Sequence, residues 1–329
     1  MSSATFQNRQ VKYSIVIPIF NEEAILPELW RQLSIVIDQL DGLCDVVFVD
    51  DGSSDNSYQI LSELHRKHSE IKILRLSRNF GHQPALTAGI KNASGNAVIL
   101  MDGDLQDSPQ TILRFIDKWH EGYDVIYAVR EKRKESWLKR LAFVSFYRLL
   151  NFFSGQKLPL DAGIFSLMDR QVVEALCQMP ERNRYLSGLR AYTGFKQTGI
   201  MVERGSRYKG EPKVTVTKLF KLAFDGIFSF SIIPLRIATI FGFVCAIVAF
   251  VLGLTGLYFK LILGKTFLSW TYGLTTTFFM GGIQLIFLGI IGEYIGRIYD
   301  EVKQRPYYLI KETQGFSKSE QRIHEELSL

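Results

Sequence analysis

The chain has 329 residues, 47% hydrophobic and 22% charged, which excludes a disordered polypeptide and allows one large domain or a domain with an appendage. With 39 Lys and Arg against 33 Asp and Glu, the net charge of +6 favours an anionic partner: nucleic acid, a phosphorylated ligand or an anionic membrane surface. Cys44, Cys177 and Cys245 lie far apart without metal-ligand spacing, which argues against a disulfide framework and for a reducing compartment.

The opening stretch, MSSATFQNRQVKYS, is polar and lacks the apolar core of a signal peptide, so export by that route is not expected. Short apolar runs then alternate with helical stretches. SIVIPIF (14–20), DVVFVDD (45–51), IKILRLS (71–77), AVILMD (97–102) and DVIYAVR (124–130) read as strands. The first, second and fourth are continuously apolar, as strands covered on both faces are. Helices are predicted near 23–40, 55–69, 83–93 and 109–120, the last with Ser108 as N-cap and Pro109 at the first helical position. This alternation predicts a parallel α/β sheet, whose ligand crevice lies at the carboxyl ends of the strands. NEE, VDDGSSD, SRNFGH and DGDLQD all fall at those ends.

Further along, KRKESWLKRLAFVSFYRLLNFFSG (132–155) is cationic first and aromatic after, and TVTKLFKLAFDGIFSF (215–230) places apolar residues at helical spacing with Lys218, Lys221 and Asp225 off that face. Both read as amphipathic helices at a membrane interface, which gives the positive charge a partner other than nucleic acid. Residues 237–259 and 266–292 carry no charge, and each exceeds the roughly 30 Å of a hydrocarbon core at about 1.5 Å per residue. Two transmembrane helices joined as a hairpin are therefore expected. Basic flanks (Lys218, Lys221, Arg236, Arg297, Lys303 and Arg305) place both ends in the cytoplasm, although the loop residues Lys260 and Lys265 argue weakly for the reverse.

Neither G-x-G-x-x-G nor G-x-x-x-x-G-K-[ST] occurs, which argues against dinucleotide oxidoreductases and P-loop ATPases. The five histidines, His65, His68, His82, His120 and His324, form no ligand pattern and read as ordinary residues. VILMDGDLQD (98–107) is the sharper signal. Asp102 and Asp104, one residue apart at the end of a strand, are expected to point the same way, with Gln106 on the same alternation. Two such carboxylates repel unless a hard cation such as Mg²⁺ or Mn²⁺ lies between them. Asp107 reads as a residue of the helix start.

YSIVIPIFNEE, VVFVDDGSSDNS, LSRNFGHQPALTAGI and MDGDLQDSP together resemble family 2 glycosyltransferases. LDAGIFSLMDRQVV (160–173), RYKGEPK (207–213) and GEYIGRIYDEVKQRPYY (292–308) narrow the resemblance to the polyprenyl-phosphate sugar transferases, the dolichol-phosphate-mannose-synthase-like group, and most closely to bacterial bactoprenol (undecaprenyl phosphate) glucosyltransferases. The Q-x-x-R-W motif of processive polysaccharide synthases is absent.

The resemblance implies a GT-A (Rossmann-like) nucleotide-sugar-binding core over 1–130, an interface helix over 131–155 and an acceptor-side part over 156–213. A second interface helix over 214–230, two transmembrane helices within 231–292 and a cytoplasmic tail over 293–329 follow. It implies that Pro18, Asn21, Glu22, Asp50 and Asp51, helped by Arg78, hold the nucleoside. Asp102, Asp104 and Gln106 are implied to bind Mg²⁺ or Mn²⁺ and through it the pyrophosphate. Asp161 is implied as the candidate base, and Arg130, Arg207 and Lys213 as holders of phosphates. Arg204 competes with Arg207, because VERGSRYKGEP departs from the usual form of that loop. The implied reaction is inverting transfer of a sugar, UDP-glucose being the expected donor, to a polyprenyl phosphate at the bacterial inner membrane. GDP-mannose, UDP-N-acetylglucosamine and a UDP-aminoarabinose derivative remain alternatives, as does a non-catalytic nucleotide-sugar-binding scaffold. A homo-oligomer is also expected, with Gly281 and Gly282 permitting close helix contact.

Overall fold

The computed structural model describes residues 11–130, 162–182, 184–202, 233–263 and 270–316. Two compact units emerge: one is built from the residues up to 202 together with those from Arg305 onward, the other from two long helices.

The first unit begins with β1 (Tyr13–Ile19), α1 (Leu26–Ile37), β2 (Cys44–Asp50), α2 (Ser57–Lys67), β3 (Ile71–Leu76), α3 (His82–Asn92), β4 (Ala97–Leu100) and α4 (Thr111–His120). β5 (Val125–Arg130), β6 (Ala162–Asp169), α5 (Arg170–Gln178), α6 (Leu186–Tyr192) and β7 (Gln197–Val202) follow, and β8 (Ile310–Gln314) comes after the long helices. Apolar runs become central strands: every residue of β1 except Pro18 is buried, and all four of β4 are. α1 buries Leu26, Leu29, Trp30, Leu33 and Val36, the stripe that a period of 3.6 creates.

Eight strands form one sheet in the order β7-β5-β6-β4-β1-β2-β3-β8. β1 pairs in parallel with both β2 and β4, and β2 with β3. The chain thus winds outward from β1 in both directions, and the crevice between the carboxyl ends of β1 and β4 is the switch point at which such sheets bind ligands. The sheet is mixed, not parallel as the alternation predicts. β6 inserts antiparallel between β4 and β5, and β8 runs antiparallel along β3. The strand–helix rhythm ends at β5, so nothing in it foretells the direction of strands that come later. β8 is also polar, IKETQ, and carries no apolar alternation. It returns residues expected in a tail to the sheet edge, where the Leu309 carbonyl accepts from Ser77 N–H at 2.9 Å and Gln314 Nε2 donates to Tyr58 Oη at 2.8 Å.

α4 starts later than predicted. Ser108 and Pro109 form a tight turn before it, their carbonyls accepting from Thr111 and Ile112 N–H. Gln110 takes the cap position, its side chain accepting from Ser108 Oγ and capping no helix N–H, so Ser108 is not the N-cap. Asp107 lies outside the helix and is buried, 5% exposed.

The second unit holds α7 (Ile233–Leu263) and α8 (Trp270–Val302), of 31 and 33 residues, longer than the predicted spans of 237–259 and 266–292. Within Leu235–Ile262 and Thr276–Val302 the most apolar stretches have mean hydropathies of 2.7 and 1.7, yet only 6% and 0% of those stretches are buried. A core helix of a soluble protein would bury such a surface; these two leave it bare except where they touch, as at Phe241 and Phe287, ring centroids 6.1 Å apart. The interface helices predicted for 131–155 and 214–230 lie outside the described residues.

Candidate active site

The loops that follow β1, β2, β3 and β4 meet at the switch point, held by side-chain–backbone bonds between neighbours. Asn21, in the left-handed region at φ 54°, accepts from Ser54 N–H through Oδ1 at 2.8 Å, and its own N–H donates to Ser53 Oγ at 3.1 Å. Glu22 N–H donates to Ser57 Oγ at 2.9 Å, and Glu23 Oε2 accepts from Asn56 N–H at 2.9 Å. The β1 and β2 loops therefore close on one another. Gly52, at φ 68°, lets the β3 loop press against them: a Cβ there would stand 2.5 Å from the Arg78 carbonyl carbon.

Asp50 and Asp51 are buried in this seam, at 0% and 3% exposure. Asp50 Oδ1 accepts from Ser53 N–H at 3.0 Å; Oδ2 lies 3.3 Å from Arg75 Nε but makes no hydrogen bond. Arg75 is in turn stacked 4.0 Å over the Tyr58 ring. Asp51 holds the β3 loop, Oδ1 accepting from Phe80 N–H at 2.7 Å and Oδ2 from Gly81 N–H at 2.9 Å. Burial nevertheless pushes its pKa above the usual carboxylate value, outweighing those two bonds. Arg78 is exposed, its guanidinium stacked 4.1 Å over its neighbour Phe80.

The acidic stretch is a turn, not an extended strand. β4 ends at Leu100, Leu105 takes φ 55°, and Asp104 Oδ1 accepts from Gln106 N–H at 3.1 Å. The alternation expected to align Asp102, Asp104 and Gln106 is therefore absent, because Gly103 folds the chain down onto β1. A Cβ there would meet Ile19 Cδ1 at 2.7 Å and the Pro18 carbonyl oxygen at 3.3 Å. The turn still keeps both residues at the carboxyl end of β4, with Gly103 between them lying against Ile19 and Pro18.

His82, read from sequence as ordinary, belongs to this rim. Its Nε2 is 2.9 Å from Asp102 Oδ1. The clue lies in its place, directly after Gly81 at the carboxyl end of β3 and at the first position of α3. Among the described residues no three His, Cys, Asp or Glu side chains converge as a ready-made metal site. A donor set of two carboxylates does suit a hard cation that takes its remaining ligands from phosphate oxygens and water. Arg130 ends β5 next to Val202 of β7. Asp161, Arg204, Arg207 and Lys213 lie outside the described residues.

Residues 14–177, from β1 through most of α5 and including all four loops, match the sequence profile of Glycosyl transferase family 2. The chain belongs to this family. An uncharacterized glycosyltransferase of Bacillus subtilis, YkcC, is 43% identical over 94% of this chain and 96% of its own length. The prophage bactoprenol glucosyl transferase homolog of Escherichia coli is 39% identical over 92% and 99%. The bactoprenol glucosyl transferase of Shigella phage SfII is 38% identical over 92% and 98%. These matches extend well beyond the family domain. For a family 2 glycosyltransferase, the mixed sheet with its acidic turn at the switch point is the GT-A arrangement.

Proposed function

We propose that this glycosyltransferase moves a sugar, glucose from UDP-glucose, onto a polyprenyl phosphate at the cytoplasmic face of a bacterial inner membrane, with inversion. The observation that carries the reading is the joining in one chain of an acidic turn at the nucleotide-binding crevice to two bare apolar helices long enough to cross a bilayer. A soluble donor and a lipid-anchored acceptor require both. The names of the phage and prophage relatives support the lipid and the sugar.

Asn21, Glu22 and Asp50, with Arg78, frame the place for the nucleoside. Asp102 and Asp104 are the residues that would hold Mg²⁺ or Mn²⁺, and a cation there would supply positive charge against the leaving pyrophosphate. Arg130, Arg207 and Lys213 hold the anionic reactants close enough to react, against their mutual repulsion. The acceptor phosphate has a second pKa of about 6 and is already largely ionised, so Asp161 orients a reactant and is not needed to remove a proton.

Purified protein incubated with undecaprenyl phosphate, Mg²⁺ and a panel of nucleotide sugars is expected to form a glycolipid from UDP-glucose. Asp104→Ala is expected to lower turnover by at least about a hundredfold, the scale of losing a main electrostatic contact to the reacting charges. No glycolipid from any donor, with nucleotide sugar still bound, would favour the scaffold reading instead.

A further inference from the structure

His82 enters the crevice on a backbone that is held from several sides. Both oxygens of Asp51, a residue only 3% exposed, accept from the β3 loop, at Phe80 and Gly81 N–H. Gly81 takes φ 103°, a conformation open to glycine, and turns the chain into α3 directly before His82. The next residue, Gln83, accepts through Oε1 from Leu186 N–H of α6 at 3.2 Å. At Gly89 the same helix lies close against Val16 of β1 and Val49 of β2. The sheet separates β3 from β4 by β2 and β1, so it is α3, lying over those two strands, that brings His82 to the turn after β4.

There His82 Nε2 lies 2.9 Å from Asp102 Oδ1, the two side chains being 43% and 23% exposed. An ionised carboxylate only accepts, so Nε2 carries the proton of this bond whatever the charge of the ring. A nitrogen that donates to Asp102 has no lone pair to offer a metal. The bland account is a half-exposed surface pair, of a kind that contributes little to stability. Such pairs form between side chains on otherwise independent backbones. Here the backbone of His82 is clamped through Asp51, and Asp102 opens a turn that Gly103 packs against Ile19 and Pro18. A carboxylate at a turn can rotate about its side-chain bonds, and a fixed donor on one oxygen sets its plane. Donors of this kind behind metal-binding carboxylates govern metal affinity more than they govern stability.

We propose that His82 is a positioning residue for the divalent cation: by donating to Oδ1 it sets the plane in which the Asp102 carboxylate meets the metal. This rests on the reading of Asp102 as a cation ligand given above. Removing the donor should therefore weaken metal binding and leave the fold intact.

The test is a double-mutant cycle read as Mn²⁺ affinity on the full chain in detergent with UDP present, free Mn²⁺ being followed by electron paramagnetic resonance. His82→Ala is expected to raise the Mn²⁺ Kd by about tenfold or more, without a matching loss of thermal stability. His82→Gln, whose amide keeps an N–H within reach of Asp102, is expected to recover much of that loss. In an Asp102→Ala background, His82→Ala is expected to cost little further, since the donor then has nothing to orient. An unchanged Kd, or an equal fold-loss with and without Asp102, overturns the proposal. Should His82→Ala not fold, His82→Phe keeps a ring, removes the donor and carries the same cycle. A parent protein that binds no Mn²⁺ overturns the proposal together with the metal reading. A parent that binds Mn²⁺ but makes no glycolipid from any donor overturns the reading of the function alone, and the binding cycle still decides the role of His82.

Discussion

Both oxygens of Asp51 are engaged by backbone N–H groups, those of Phe80 and Gly81. An amide in their place offers one acceptor and turns an NH₂ toward an N–H donor. Asp51→Asn is therefore expected to lower stability by about 1–3 kcal/mol and to loosen the loop that carries Arg78 and His82. The pH dependence has a definite sign. Burial raises the Asp51 pKa in the folded state, so the native protein keeps this proton to higher pH than the unfolded chain. Its contribution to stability is complete below the ordinary carboxylate value of about 3.9 and declines as pH rises through the raised value. Thermal unfolding in detergent should show the parent's advantage over Asp51→Asn shrinking from pH 4 to pH 7; an advantage that grows would contradict it. At this scale the sequence reveals that VDDGSSD and DGDLQD sit on the rim, but not what each carboxylate does. Two adjacent aspartates look alike until Ser53 and Arg75 are seen on one and the β3 loop on the other. The geometry of Asp102 and Asp104 was hidden for a similar reason, since the turn depends on Gly103 lying against Ile19, a contact between distant residues.

Elements are positioned by small residues as much as by apolar ones. α3 buries Ala85, Leu86, Thr87, Ala88, Gly89 and Ile90, and at Gly89 it comes so close to β1 that a Cβ would stand 2.2 Å from Val16 Cγ1 and 3.1 Å from Val49 Cγ2. Alanine at a helix-interior glycine ordinarily stabilises by about 1 kcal/mol. Here the added methyl meets fully buried strand residues, and overpacking costs about 1–3 kcal/mol. Gly89→Ala is thus expected to be net destabilising, with a lower Tm. It is also expected to raise the donor KM, because α3 begins at His82 and any shift of the helix moves the partner of Asp102. A higher Tm would show that the strands yield without strain. The helix and the apolar strands of this half are legible because burial on both faces leaves continuous apolar runs. β8 is not: an edge strand with one open side needs few apolar residues, and its pairing with β3 joins segments more than two hundred residues apart.

On the scale of the whole molecule, the two units answer to different solvents. The sheet unit buries its apolar strands, while α7 and α8 expose theirs, with Phe243 at 72% and Leu261 at 74%. Uncharged runs of this length make the spans readable from sequence, and basic residues on the flanks suggest their orientation. Orientation matters chemically, because the crevice has to face the compartment that holds nucleotide sugars. If both ends of the hairpin are cytoplasmic, as proposed, the two positions Lys265 and Lys303 should differ in access. Cysteine placed at Lys265 is expected to react with a membrane-impermeant maleimide in intact cells, and cysteine at Lys303 only after the membrane is opened. Background from native thiols should be low in the sheet unit, since burial pushes the pKa of both Cys44 and Cys177 up and the thiolate is the reactive form. The opposite labelling pattern would invert the hairpin and turn the crevice away from its donor. Equal labelling at both positions in intact cells would mean that α7 and α8 do not cross the bilayer. Either result would undo the argument that the acidic turn and the apolar helices serve one reaction.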